Sequence, residues 1–222
     1  MLQQINKKIF FYIFLLLILG TFNNRNFENL DFLKINIVEI EGIEFNDNEF
    51  LKIKNLIKFN NLLSIQKSQI KEILNSNNLI EEYEVFKRYP SSIEIKIKKT
   101  NFLASTNING KNYLVGSNGK FINKKEFSED LPFIFGNFEI NKFLKFKKII
   151  SQTNLDYNDI KNFYSFPSGR WDIEMFSGVI IKLPITRIKE SLNLSIDLLN
   201  NKEFSNKKIL DIRQKNQIVI DD

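Results

Sequence analysis

The chain of 222 residues has no cysteine and no histidine. Their absence excludes a disulfide framework, a thiolate nucleophile, an imidazole general base and a Cys/His zinc site. Acid–base chemistry would then fall to carboxylates, lysine or tyrosine. The densest acids, Glu81-Glu82-Glu84 and Glu129-Asp130, accompany no apolar pocket signal. A Gly-rich phosphate loop and a serine nucleophile elbow are also missing. The sequence therefore points away from an enzyme and calls for no cofactor and no metal.

What is present is a core-forming composition. The hydrophobic fraction is 43%, and 32 basic side chains face 26 acidic ones for a net charge of +6. That charge is modest and dispersed, and gives no ground for nucleic acid as a partner. Phenylalanine supplies 22 of the aromatics and is accompanied by many Ile, Asn and Lys residues. All four have AT-rich codons, so a base-biased genome accounts for the excess and no aromatic-stacking role follows from it.

Lys7 and Lys8 precede an apolar run from Ile9 to Leu19 that continues through Phe22. A positive flank before an apolar block orients an inserted segment with its amino end in the cytoplasm. A helix over this block is short for a ~30 Å hydrocarbon core, a length shared with cleavable signals. Small residues at −3 and −1 of a cleavage site do not follow it: Gly20 has Ile18 at −3 and Thr21 has Leu19. Snorkelling lysines and local thinning can cover the shortfall. The reading is an uncleaved anchor at residues 9–22, carried by Ile9, Phe10, Leu15, Leu16 and Leu17 in contact with membrane lipid. A cleaved signal and a buried soluble helix are the alternatives. Residues 1–8 would be cytoplasmic, 23–32 a linker, and the rest exported.

Residues 33–100 read as strand, helix, helix, strand, strand. Leu33–Ile40 alternates, with Ile35 and Ile37 on one face. Gly42 breaks the strand, and Asn46 or Asp47 caps a helix through Ile57. Ser64 or Ser68 begins a second helix with Ile65, Ile70, Ile73 and Leu74 as its stripe. Tyr83–Lys87 leads to Arg88-Tyr89-Pro90, and Ile93–Lys98 is the cleanest period-two alternation in the chain. Proline donates nothing to a ladder, so Pro90 ends the strand.

Residues 101–222 read as a second α+β unit with a mostly antiparallel sheet. Phe102–Ile108 and Tyr113–Val115 flank Asn109-Gly110, the strongest short hairpin signal. Phe121-Ile122 pairs back after Ser117–Lys120. Leu131–Gly136 closes this segment, and Asn141–Gln152 forms an amphipathic helix whose Lys142, Lys145, Lys147 and Lys148 are the densest basic patch. Arg170–Met175 and Val179–Pro184 flank Ser177-Gly178 as a hairpin. A helix from about Arg187 to Asn200, a strand at Ile209–Ile212 and a last strand at Gln217–Ile220 complete the order. The patch of lysines reads as a solvated face or as a surface for anionic lipid or acid.

In this order the motifs resemble a POTRA domain and, more narrowly, the FtsQ/DivIB cell-division family. Gly42 after the first strand and Arg88-Tyr89-Pro90 before the alternating strand match its first unit. Asn109, Gly110, Tyr113, Leu114, Val115 and Gly119 match its hairpin, with Gly116 where the family usually has Asp. Arg170, Trp171, Gly178, Ile181, Leu183 and Pro184 match the second hairpin, and Asp211-Ile212-Arg213 the closing motif. The resemblance implies a single-pass inner-membrane protein of type II topology, its carboxy-terminal domain periplasmic at the division septum. It implies a scaffold that links early division proteins to septal peptidoglycan synthesis by binding an FtsB-like and FtsL-like pair. The partner surface it implies is the carboxy-terminal sheet edge: Arg213, Gln214, Asn216, Ile218, Val219 and Ile220. Gln214 stands where the family often has Tyr. Other division proteins would meet the POTRA domain. A POTRA-type periplasmic chaperone or translocation module is the alternative. It would call for repeated POTRA units or a barrel segment, neither of which the sequence contains.

Overall fold

The computed structural model describes residues 7–21, 31–42, 47–58, 60–123, 130–201, 207–215 and 217–221. The chain divides into two compact units, one of residues 1–76 and 83–97 and the other of residues 77–82 and 98–222.

The first unit contains helix α1 (Lys7–Thr21), strand β1 (Ile37–Glu41) and helices α2 (Asp47–Ile57) and α3 (Lys67–Ser76). It also takes most of the β2 (Ile80–Arg88) and β3 (Ser92–Lys99) hairpin, whose root belongs to the second unit. The sheet order is β1-β3-β2, with β1 parallel to β3 and Ile40 opposite Ile95. This is the expected β-α-α-β-β order, a parallel neighbour being reached through a helical crossover. The apolar groups of both helices and of the strands close the core: Ile53, Ile57, Ile70 and Leu74 are buried with Val38, Ile93 and Ile95.

The first strand departs from its expected phase. A short 3-10 turn at Asp31–Leu33 and a bridge at Lys34 precede it, so the strand begins only at Ile37. Ile35 is then fully buried while Ile37 is half exposed, and Val38 takes the inward place. The break in regular backbone between Leu33 and Ile37 resets the alternation, which puts Ile35 and Ile37 on different sides.

The second unit carries one sheet in the order β12-β11-β10-β9-β8-β7-β4-β5-β6. Its strands are β4 (Phe102–Ile108), β5 (Lys111–Gly116), β6 (Phe121–Asn123), β7 (Phe133–Phe135) and β8 (Ile160–Ser165). They continue with β9 (Trp171–Met175), β10 (Ile180–Lys182), β11 (Ile209–Asp211) and β12 (Val219–Asp221). The sheet is mixed rather than mostly antiparallel: β4–β7, β7–β8 and β10–β11 are parallel. The reason lies in the connections. Helix α4 (Ile140–Ile150) joins β7 to β8, and α5 (Ile188–Leu199) joins β10 to β11. A helical crossover returns the chain to the same end of the sheet, and the next strand runs parallel.

One register row carries the core. Ile134, Phe163, Ile173, Ile181 and Leu210 sit side by side on β7 through β11 and are all buried. Phe143, Phe146 and Ile150 of α4 and Leu192 of α5 pack into the same cluster. Each such side chain contributes about 1.5–3 kcal/mol of burial. Trp171 lies flat against Phe146, ring centroids 5.1 Å apart and planes inclined by 13°.

Helix α1 spans 15 residues, about 22 Å at 1.5 Å per residue. Ile9, Phe10, Leu15, Leu16 and Leu17 are exposed along it. Among the described residues no helix is long and apolar enough to cross a membrane. The expected spanning segment at 9–22 is thus not displayed as a spanning helix: the described helix is Lys7–Thr21, and Phe22 lies outside the described residues.

Candidate partner-binding edge

β12 ends the sheet. It pairs antiparallel with β11, Val219 opposite Asp211 and Asp221 opposite Ile209, and the strand order places no described strand beyond it. Alternation decides the roles of its residues. Ile220, opposite Leu210, packs against the core, whereas Val219 is half exposed on the other face. The outer backbone groups of a last strand are free to pair with an incoming strand. The strand is Val219–Asp221 rather than Gln217–Ile220, so Gln217 and Ile218 belong to the approach, and Asn216 lies outside the described residues.

Beside this edge is an open cleft of about 390 Å³ between the start of α5 and the chain leading into β12. Arg187, Glu190 and Leu194 line one wall; Ile212, Gln214 and Ile218 line the other. Arg187 holds a left-handed conformation (φ 59°) as the residue before α5, and no side chain caps that helix. Its backbone turn aims the chain from β10 into the helix. Arg187 and Leu194 went unmarked in the sequence. Leu194 left a trace there, being a leucine off the inward stripe of Ile188, Leu192, Ile196 and Leu199. It is 41% exposed.

The closing motif fixes a charge near the same edge. Arg213 Nε donates to both oxygens of Asp211 at 2.8 and 3.0 Å, and the Arg213 backbone N–H donates to Oδ1 at 3.2 Å. The hydrogen bonds from Arg213 hold the Asp211 carboxyl below the usual range, and Asp211 in turn raises the Arg213 guanidinium. Asp211 stands in register with Lys182 of β10 and Asp172 of β9. Asp172 is almost fully buried, which pushes its carboxyl up, while Arg170, the Leu183 N–H and Arg213 oppose the rise. The fold therefore brings the Arg170 end of one expected motif and the Asp211-Arg213 end of another onto one face of the sheet.

Residues 104–213 match the family described as Cell division protein FtsQ/DivIB, C-terminal. A cell division protein FtsQ of Rickettsia bellii is 30% identical over 202 residues, spanning 85% of this chain and 72% of that protein. The chain belongs to the FtsQ/DivIB family. A cell division protein DivIB of Clostridium botulinum is 25% identical over 224 residues, spanning 93% of this chain and 86% of that one. The solved major extracytoplasmic domain of DivIB from Geobacillus stearothermophilus aligns with 43% of this chain and 87% of its own, at 12% identity and a TM-score of 0.34. That likeness is too slight to bear on the fold.

The FtsQ/DivIB relatives place this chain in cell division. The matched stretch ends at Arg213, and β12 follows it. The remaining motif residues are dispersed and each has a local structural task. Gly42 follows β1 with φ +96°, where a β-carbon would run into the Ile97 carbonyl. Arg88 Nε donates to Glu94 at 2.7 Å, and Tyr89, joined to Pro90 by a cis bond, is exposed. Asn109 and Gly110 both take positive φ in the β4–β5 turn, where the Gly110 N–H donates to Asn107 Oδ1 at 2.9 Å. Trp171 is a core residue.

Proposed function

We propose that this chain is a non-catalytic scaffold of the division apparatus that captures a partner by strand addition at β12. The observation that carries the reading is the place of β12 as the last described strand of the sheet, beside the cleft of Arg187, Leu194, Gln214 and Ile218. An incoming segment would add backbone hydrogen bonds at Ile220, the β12 residue whose N–H and C=O face away from β11. It would also set a side chain into the cleft, where Leu194 and Ile218 offer apolar area and Arg187 a cation. Arg213, clamped by Asp211, presents a second fixed cation near that edge.

In this reading the partner is an FtsB-like coiled-coil protein paired with an FtsL-like one, and the assembly links early division proteins to septal peptidoglycan synthesis. Residues 33–100 form a POTRA domain open to further division proteins, and 101–222 form the partner-binding domain. α1 serves as the lipid anchor of a single-pass protein whose carboxy-terminal part lies across the inner membrane at the septum. Its exposed apolar side chains support that placement, with Lys8 reaching the headgroups to offset the short helix. The direct test is co-purification of the full chain with an FtsB-like coiled-coil segment. Retention at micromolar concentration supports the reading, and no retention by folded protein removes it.

A further inference from the structure

A second cleft, of about 260 Å³, lies in the same unit between the start of α4 and the β8–β9 hairpin, and it shares no lining residue with the β12 cleft. Its walls are aromatic, from Phe138, Phe166 and Trp171. Trp171 is 5% exposed, and its indole N–H has no acceptor among the described residues. That N–H is also absent from the fully enclosed unpaired atoms, so the small exposed part of the ring opens to the cleft it lines. A donor open to a cleft at an otherwise buried residue is available to an acceptor that enters there.

The rim adds positive potential. No side chain caps α4, whose preceding residue Glu139 instead pairs with Lys142 at 2.8 Å. The helix N-terminus carries about half a positive charge. From there Lys142, Lys145 and Lys148 recur on the exposed side of α4, and Glu139 is the acid paired with that row. The cleft thus combines an apolar floor, one inward donor and a cationic track leading away from its mouth.

We propose that this cleft binds an acidic peptide segment. An apolar side chain fills the space over Phe138 and Phe166, a peptide carbonyl or carboxylate accepts from the Trp171 N–H, and further carboxylates follow Lys145 and Lys148. The occupant is acidic because the rim's charge is basic beyond the Glu139–Lys142 pair, and peptidic because one apolar pocket is joined to a linear row of cations.

Trp171 is the chain's one tryptophan, so its fluorescence reports this cleft alone. The probe is a synthetic peptide of alternating glutamate and leucine, titrated into the full chain in detergent micelles. A lysine–leucine peptide and a neutral N-acetylglucosamine oligosaccharide are the controls. The expected result is a saturable emission shift with the acidic peptide, weakened by salt and by at least about tenfold in Lys142→Glu. By calorimetry, Trp171→Phe, which keeps the aromatic volume and removes the N–H, should also bind more weakly. Three results would overturn the proposal: no saturable change in protein with native circular dichroism, an equal response to both peptides, or a response to the oligosaccharide instead. None of these readouts involves β12.

Discussion

Tyr164 donates its hydroxyl to the Glu174 carboxylate at 2.6 Å across the β8–β9 pair, on the face of the sheet opposite Phe163 and Ile173. Asn162 and Lys161 donate to the same carboxylate, each at 2.9 Å. Asn162, Tyr164 and Lys161 together hold Glu174 down at about 2, and the hydrogen bond to Glu174 pushes Tyr164 up to about 12. Phe135 stacks on Tyr164 at 5.2 Å between centroids, which keeps the phenol in place. Tyr164→Phe should cost about 1.5–3 kcal/mol, the range for a hydrogen bond to a charged group, read from urea unfolding at neutral pH.

The same carboxylate sets an acid limit. A depressed folded value means that the stabilisation is present above the unfolded carboxyl value near 4.5 and fades as pH falls through about 2. Stability should drop across that window in the native chain and more gently in Glu174→Gln. At the alkaline end the raised Tyr164 acts with the opposite sign. Its contribution is complete below about pH 10 and disappears as pH rises through about 12. Tyr164→Phe should flatten that limb in unfolding followed by circular dichroism.

Phe143 on α4 is fully buried, with its ring edge-on to Phe163 at 5.7 Å and tilted against Trp171 at 6.0 Å. Phe143→Ala should cost about 3–5 kcal/mol by leaving a cavity beneath α4. A thermal melt checks it, and a loss below about 1 kcal/mol would show that α4 collapses into the space.

Gly42 and Gly110 separate two costs of a β-carbon. Both have positive φ, but a β-carbon on Gly42 would run into the Ile97 carbonyl, while nothing lies near Gly110. Gly110→Ala should cost the left-handed penalty of about 1–2 kcal/mol. Gly42→Ala should cost distinctly more, because backbone rather than a side-chain tip must move. Parallel denaturant titrations compare them.

For the amino-terminal helix, deletion of residues 9–19 should move the protein from the membrane to the soluble fraction on centrifugation. Unchanged partitioning would put membrane attachment elsewhere.

Much of the fold was legible where local chemistry and tertiary environment agree. Ile93–Lys98 alternates because β3 turns Ile93, Ile95 and Ile97 into the core and Lys96 and Lys98 outward, and Asn109-Gly110 marks the β4–β5 turn because both residues take positive φ. β8 was not legible. A register irregularity between Ile160 and Asn162 puts the buried residues Ile160 and Phe163 three positions apart, which breaks the period of two. With β8 missing, the β7-α4-β8 crossover could not be seen, and the parallel β7–β8 pair it creates was lost with it. The β12 edge was readable from its apolar run and polar flanks. Its cleft was not, since Arg187 and Gln214 are 27 positions apart in sequence and meet only because α5 returns the chain beside β10.

The most direct test of strand addition places proline at Ile220, whose N–H faces away from β11 because Val219 and Asp221 are the residues paired with Asp211 and Ile209. Calorimetry with an FtsB-like coiled-coil segment should show binding by the native chain and a loss of at least about tenfold in Ile220→Pro, worth ~1.4 kcal/mol. Circular dichroism and the Trp171 emission should stay native. Undiminished binding by a folded Ile220→Pro protein would contradict the account and move the interface away from β12.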